Sequence, residues 1–201
     1  MGHIARVAVY CGSSPGFRAV FADAARDFGR ALARRGMHLV YGGGKVGLMG
    51  VIADSVLASG GEVDGVIPDF LKAKELGHDG LTRLSVVSTM HERKAKMAAL
   101  ADAFVALPGG IGTWEEIVEM TTWTQLRLHD KPVALLDVDG YYAGLRTMIE
   151  RAVDEGFMRP EHKDGILIER DPDCLLDALV GWRPHAVEKW VGVKPLGPER
   201  G

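Results

Sequence analysis

Short apolar runs alternate along this chain with longer stretches of helical period, and that rhythm leaves few folds open to it. Val7-Ala-Val-Tyr-Cys11, His38-Leu-Val-Tyr41, Val63 to Ile67, Leu84 to Ser88, Ala103-Phe-Val-Ala-Leu107, Pro132 to Val138 and Ile166 to Glu169 read as strands. Their near-continuous apolar character marks strands covered on both faces. Between the first two, Phe21, Ala24, Ala25, Phe28, Ala31 and Leu32 recur at helical spacing within Phe17 to Arg35, and Gly36 stands where a C-cap belongs. Further helices are predicted over Leu48 to Ser59, Glu92 to Ala101, Thr113 to Leu128, Tyr141 to Glu155 and Asp173 to Leu179. Strand–helix alternation of this kind predicts an α/β fold: a Rossmann-like, doubly wound, mostly parallel sheet with helices on both faces. Ligands of such sheets bind at the carboxyl ends of the strands.

The 201 residues suit one domain, taken as residues 1–194, followed by a Pro- and Gly-containing tail at 195–201 that is expected to be disordered. A formal net charge of −3 gives no general electrostatic case for a nucleic acid polymer or a membrane surface as partner. The two cysteines, Cys11 and Cys174, make no disulfide framework, and neither they nor the histidines show metal-ligand spacing. No metal and no cofactor is expected. No apolar run approaches the roughly 20 residues of a membrane span, and Met1 to Arg6 does not resemble a signal peptide. The expected location is the cytoplasm.

Three glycine- or charge-rich segments follow strands. Pro108-Gly109-Gly110-Ile111-Gly112-Thr113 leaves a strand and opens a helix, so its N–H groups and the helix dipole can cradle a phosphate. Thr113 can add a hydroxyl donor. Glu116 is unusual beside a phosphate and suits a ligand that carries hydroxyls or develops positive charge nearby. Thr113-x-x-Glu116 also fits a capping box, in which the glutamate bonds the N-cap N–H. Met90-His-Glu-Arg93-Lys94 brings a guanidinium fork and a point charge to the same sheet edge, or else forms a solvated helix face. Gly42-x-Gly44-x-x-Gly47 matches the dinucleotide fingerprint, but it follows the second strand rather than the first.

Taken together these segments resemble the Lonely Guy family of cytokinin riboside 5'-monophosphate phosphoribohydrolases. The chain carries that family's PGGxGTxxE motif at Pro108 to Glu116 and its MHxRK motif at Met90 to Lys94. Tyr41-Gly-Gly-Gly-Lys-Val-Gly-Leu-Met-Gly50, Gly65-Val-Ile-Pro68, Asp130-Lys-Pro-Val133 and Asp139-Gly-Tyr-Tyr142 support it, and the resemblance runs from about Val7 to Ile168. It implies hydrolysis of the base–ribose bond of a cytokinin riboside 5'-monophosphate, with AMP as a further substrate, by a homodimer with sites near the interface. Carried over by position, Arg93 and Glu116 are the catalytic pair. Glu75, Arg93, Lys94, Gly109, Gly110, Ile111, Gly112, Thr113, Glu116 and Thr122 become substrate-binding candidates.

In that reading Glu116 stabilises the oxocarbenium character that develops at the anomeric carbon and orients water. Arg93, which keeps its proton, binds phosphate and positions charge. Three rival classes are a nicotinamide-dependent oxidoreductase using the Gly42 loop, a non-catalytic nucleotide carrier, and a lysine decarboxylase. The first lacks room for a substrate domain, and the third lacks a lysine in a recognisable pyridoxal phosphate setting.

Overall fold

The computed structural model describes residues 4–74 and 76–184; Glu75, the end of the expected domain at 194 and the expected tail lie outside the described residues. Its elements, in order, are β1 (Arg6–Tyr10), α1 (Ala19–Arg34), β2 (His38–Tyr41), α2 (Gly47–Ala58), β3 (Val63–Pro68), α3 (Asp69–Lys72), β4 (Arg83–Val87) and α4 (Met90–Leu100). Then come β5 (Ala103–Ala106), α5 (Ile111–Gln125), β6 (Val133–Leu136), a 3-10 turn (Val138–Gly140), α6 (Ala143–Asp154), α7 (Pro160–Asp164), β7 (Ile166–Glu169) and α8 (Pro172–Gly181). The seven strands form one sheet in the order β4-β3-β2-β1-β5-β6-β7. Every strand pairing in it is parallel.

Side chains alternate across each strand, so β1 feeds two cores. Val7, Val9 and Cys11 face one core with Phe28 and Leu32 of α1, Ile52 and Val56 of α2, and Leu175 and Leu179 of α8. Ala8 and Tyr10 face the other with Met97 of α4, Ile117 and Met120 of α5, and Tyr142. Because both faces are covered, a polar residue gains nothing on either side of the central strands, which explains their continuous apolar runs. Winding reverses between β1 and β5. The loops that leave these two strands therefore border a crevice, and Gly12 N–H closes its floor by donating to the Pro108 carbonyl at 3.0 Å.

The opposite end of the sheet carries a titratable group with a consequence for stability. His129 lies against Phe104 and Trp123, with ring centroids 5.0 and 6.3 Å apart. Its Nδ1 accepts the Lys131 N–H at 3.3 Å. Burial, and after it the Lys131 charge, push the imidazole from its ordinary 6.5 down to about 4. The folded-state value lies below the unfolded one, so the contribution is full above about pH 6.5 and is lost as the pH falls toward about 4. Urea midpoints should fall across that window, and the fall should be smaller in His129→Phe; an equal fall in the variant would rule this histidine out as the cause.

Candidate active site

Three loops and two helix starts converge at the carboxyl end of β1, β2, β3 and β5. Arg93 sits in the first turn of α4 and is buried. Its Nε donates to the Val66 carbonyl of β3 at 3.3 Å and its Nη1 to Glu116 Oε1 at 2.9 Å. The third face of the guanidinium lies on Gly42, where an added Cβ would stand 1.9 Å from Nη2. Glu116, on α5, is equally buried at 7% exposure. Burial raises its carboxyl above the usual carboxylate range; the charges of Arg93 and Lys94 oppose that shift and the charge of Glu115 adds to it. Buried charges persist where they are paired, and each of these two answers the other.

Helix α5 begins at Ile111, with Gly110 as its N-cap, two residues before the expected start. Thr113 is therefore inside the first turn and Glu116 inside the second, which overturns the capping-box alternative. Glu116 bonds Arg93 instead of the N-cap N–H. A reciprocal cap is formed one helix earlier. Thr89 Oγ1 accepts the Glu92 N–H at 3.1 Å, and Glu92 Oε2 accepts the Ser88 N–H at 2.9 Å. The same Thr-x-x-Glu spacing at Thr89 was the signal that reading by sequence missed.

The N–H groups of Gly109 to Thr113 donate to nothing among the described residues, so this helix start presents the donors a phosphate needs. Thr113 is buried beneath the cradle, and a Cβ on Gly109 would lie 2.2 Å from its Oγ1. Gly110 and Gly112 stay open: an added Cβ there meets nothing within 4 Å.

Two sequence candidates fall outside this cluster. The Lys94 ammonium is buried between Glu115 and Glu119 of α5, the second at 3.1 Å, and ties α4 to α5 instead of facing the cradle. Thr122 lies six residues beyond Glu116, about 9 Å along the axis. Its hydroxyl donates back to Val118 O at 2.8 Å, and it shares a stripe with Ile111, Glu115 and Val118 rather than with Glu116. Sequence reasoning missed Gly42 as the seat of Arg93. It also missed Tyr10, which is buried and whose phenol is pushed upward by burial and then by the Glu116 charge. Burial raises the Cys11 thiol as well, which argues against a thiolate nucleophile.

The glycines of the Gly42 loop are spent on the protein's own packing. Gly47, at φ +61°, has an added Cβ 2.2 Å from the Ser13 backbone, and one on Gly50 would lie 2.2 Å from the Lys45 carbonyl. The segment after α3 covers the loop: Lys45 N–H donates to Leu76 O at 2.9 Å and His78 N–H to Gly43 O at 3.0 Å. A dinucleotide pyrophosphate would have to displace that segment, which counts against the oxidoreductase reading. Among the described residues, no group of three or more His, Cys, Asp or Glu is arranged to hold a metal ion. No helix there is long and apolar enough to cross a membrane.

Gly42 also supplies a test of the geometry. Gly42→Ala places a methyl inside the Arg93 guanidinium, so Arg93 must leave Val66 O or Glu116. Turnover should collapse with a stability loss of about 1–3 kcal/mol. Gly144→Ala, where nothing lies within 4 Å, serves as the neutral comparison.

Comparison with known proteins shows the family of the chain. A family model described as "possible lysine decarboxylase" matches residues 49–179. A cytokinin riboside 5'-monophosphate phosphoribohydrolase of Arabidopsis thaliana is 49% identical over 179 residues, covering 89% of this chain and 83% of its own. A second from the same plant is 46% identical over 179 residues, covering 89% of this chain and 78% of its own. The chain belongs to the Lonely Guy family. Both motifs that carried the resemblance lie in the site just described, one supplying Arg93 and the other the cradle and Glu116. Among solved structures, the molybdenum cofactor carrier protein of Chlamydomonas reinhardtii superposes with a TM-score of 0.65 at 19% identity, covering 89% of this chain and 97% of that one. At that identity the likeness speaks for the Rossmann-like fold alone. The decarboxylase description of the family model finds no support in the lysines of the site, because Lys94 is held by two carboxylates.

Proposed function

We propose that the protein hydrolyses the N-glycosidic bond of cytokinin riboside 5'-monophosphates, and of AMP, to free base and ribose 5-phosphate. The observation that carries this reading is the buried Arg93–Glu116 pair, 2.9 Å apart, set beside a helix start whose first N–H groups have no acceptor among the described residues. The 5'-phosphate docks on the N–H groups of Gly109 to Thr113. Glu116 stands one turn further along α5, about 6 Å from Gly112, so a phosphate on the cradle brings the sugar over the carboxylate. As the base–ribose bond breaks, its electron pair leaves with the base, and the anomeric carbon gains positive charge that Glu116 stabilises. Water, oriented by the same carboxylate, adds its oxygen to that carbon and loses a proton to Glu116, and the departing base gains one proton, so the free base and ribose 5-phosphate balance. Arg93 acts through charge and placement, holding Glu116 on the sugar side.

A second copy of the chain completes the proposal. Ile111, Trp114 and Val118 leave an apolar stripe exposed along α5, and Met90 extends it onto α4. A homodimer packed on this stripe buries it and brings Lys94, Glu115 and Thr122 toward the partner's cradle. Thr122 then serves as a substrate contact across the interface, with Lys94 fixing Glu115 beside it, and Glu75 is a further substrate contact. The free thiols of Cys11 and Cys174 suit a cytoplasmic enzyme.

The deciding experiment is product analysis after incubation with AMP, with isopentenyladenosine monophosphate and with the unphosphorylated nucleosides. Base release from a nucleotide but not from its nucleoside supports a phosphoribohydrolase and ranks the bases. Tight nucleotide binding with no release at high enzyme concentration would move the reading to a carrier.

A further inference from the structure

The phosphate cradle is held from behind by a second loop, and Asp139-Gly-Tyr-Tyr142, which the proposed chemistry does not use, forms that loop. Asp139 (φ 52°) and Gly140 (φ 75°) are successive left-handed residues, and Tyr141 N–H bonds Val138 O at 3.1 Å, the pattern of a type I′ turn. The buried Asp137 carboxylate fixes the turn by accepting the Tyr142 N–H at 2.8 Å. The two tyrosines then reach the β5–α5 loop. Tyr142 donates its hydroxyl proton to Leu107 O at 2.7 Å, Gly12 N–H donates to Pro108 O at 3.0 Å, and the Tyr141 hydroxyl donates to Gly109 O. Three successive carbonyls are thus held by three different groups.

In a planar trans peptide the C=O and the following N–H point in opposite directions. Holding Gly109 O on Tyr141 therefore aims the Gly110 N–H away from Tyr141. Gly109 and Gly110 have no Cβ to restrict the rotation of that peptide, so an outside bond must supply the restraint. We propose that Tyr141 is a positioning residue that aims the Gly110 N–H at the substrate's 5'-phosphate. The proposal rests on the phosphoribohydrolase reading for its ligand. Its ring is set by edge contacts to Phe21 and Tyr142, with centroids 5.9 and 5.1 Å away, and these survive loss of the hydroxyl.

The test compares Tyr141→Phe with the unaltered protein by calorimetric titration with ribose 5-phosphate and with adenosine, at a temperature where circular dichroism shows both folded. Ribose 5-phosphate should bind roughly 3- to 10-fold more weakly to the variant, the loss expected for one hydrogen bond, while adenosine affinity is unchanged. In turnover, KM for the nucleotide should rise with little change in kcat. Equal affinities for ribose 5-phosphate overturn the proposal, and so does a matching loss for both ligands, which would give Tyr141 a structural role only. Because the titration needs no turnover, an inactive but ribose 5-phosphate-binding protein would overturn the hydrolase reading and leave this test intact.

Discussion

Glu116→Gln is expected to lower kcat with AMP by about 10²–10⁴-fold while the fold persists. The amide keeps an oxygen for the Arg93 Nη1–H, now 2.9 Å from Glu116 Oε1, but it can neither take a proton from water nor offset positive charge on the sugar. Glutamine is the informative replacement. Glu116 is not the cap of α5, so alanine would remove no capping bond; it would strip a buried guanidinium of its partner. The pH dependence follows from the same environment. Burial raises the Glu116 carboxyl, so the ionised form that the proposed chemistry needs is reached only above the ordinary carboxylate range. For stability the sign is that of a raised folded-state value: the group favours the fold when protonated, and that contribution is lost as pH rises through the raised value. The acid limb of kcat/KM should lie correspondingly high. Glu115→Gln, which removes a charge that raises Glu116, should move it down. An unmoved limb would assign it to another group, and wild-type turnover in Glu116→Gln would refute the catalytic assignment.

Arg93→Met should be the most destabilising single change at the site, about 3–5 kcal/mol, because it leaves the Glu116 carboxylate buried and unpaired. Typical domains are stable by only about 5–15 kcal/mol, so urea midpoints will show this loss clearly. Activity should vanish with it. The double variant Arg93→Met/Glu116→Gln separates the two roles. Removing both charges should restore most of the stability and none of the turnover, since the cost of the single change lies in the orphaned charge. If the double variant is as unstable as Arg93→Met, the damage comes from lost packing on Gly42 and the Val66 carbonyl. Arg93→Lys is no substitute here, because one ammonium cannot reproduce the planar fork that spans β3 and α5.

Much of this site is legible in the sequence. The cradle was legible because glycines between a strand and a helix are a local signal, and Arg93 and Glu116 were legible through the two motifs that contain them. Their direct partnership was not, since it joins residues on separate helices whose distance depends on how α4 and α5 pack. The two Thr-x-x-Glu segments show the limit well. Both satisfy the capping spacing, yet only Thr89–Glu92 caps a helix, because Gly110 starts α5 early and Arg93 draws Glu116 away. Gly42 is a comparable case. Its spacing matched a dinucleotide fingerprint, whereas its missing side chain makes room for a guanidinium. The helices α3 and α7, of 4 and 5 residues, are too short to show a period at all.

What the sequence determined by itself was the order of strands and helices, the burial of the sheet on both faces and the place of the glycine-rich helix start. These follow from hydrophobic period and from backbone freedom, which act over a few residues and need no knowledge of what lies across the fold. The tertiary structure alone decided which groups meet: Arg93 with Glu116 and Val66 O, Lys94 with Glu115 and Glu119, Tyr141 with Gly109 O. A buried charge or a peptide plane is governed by whatever lies within about 3 Å of it, and here that neighbour comes from a distant part of the chain.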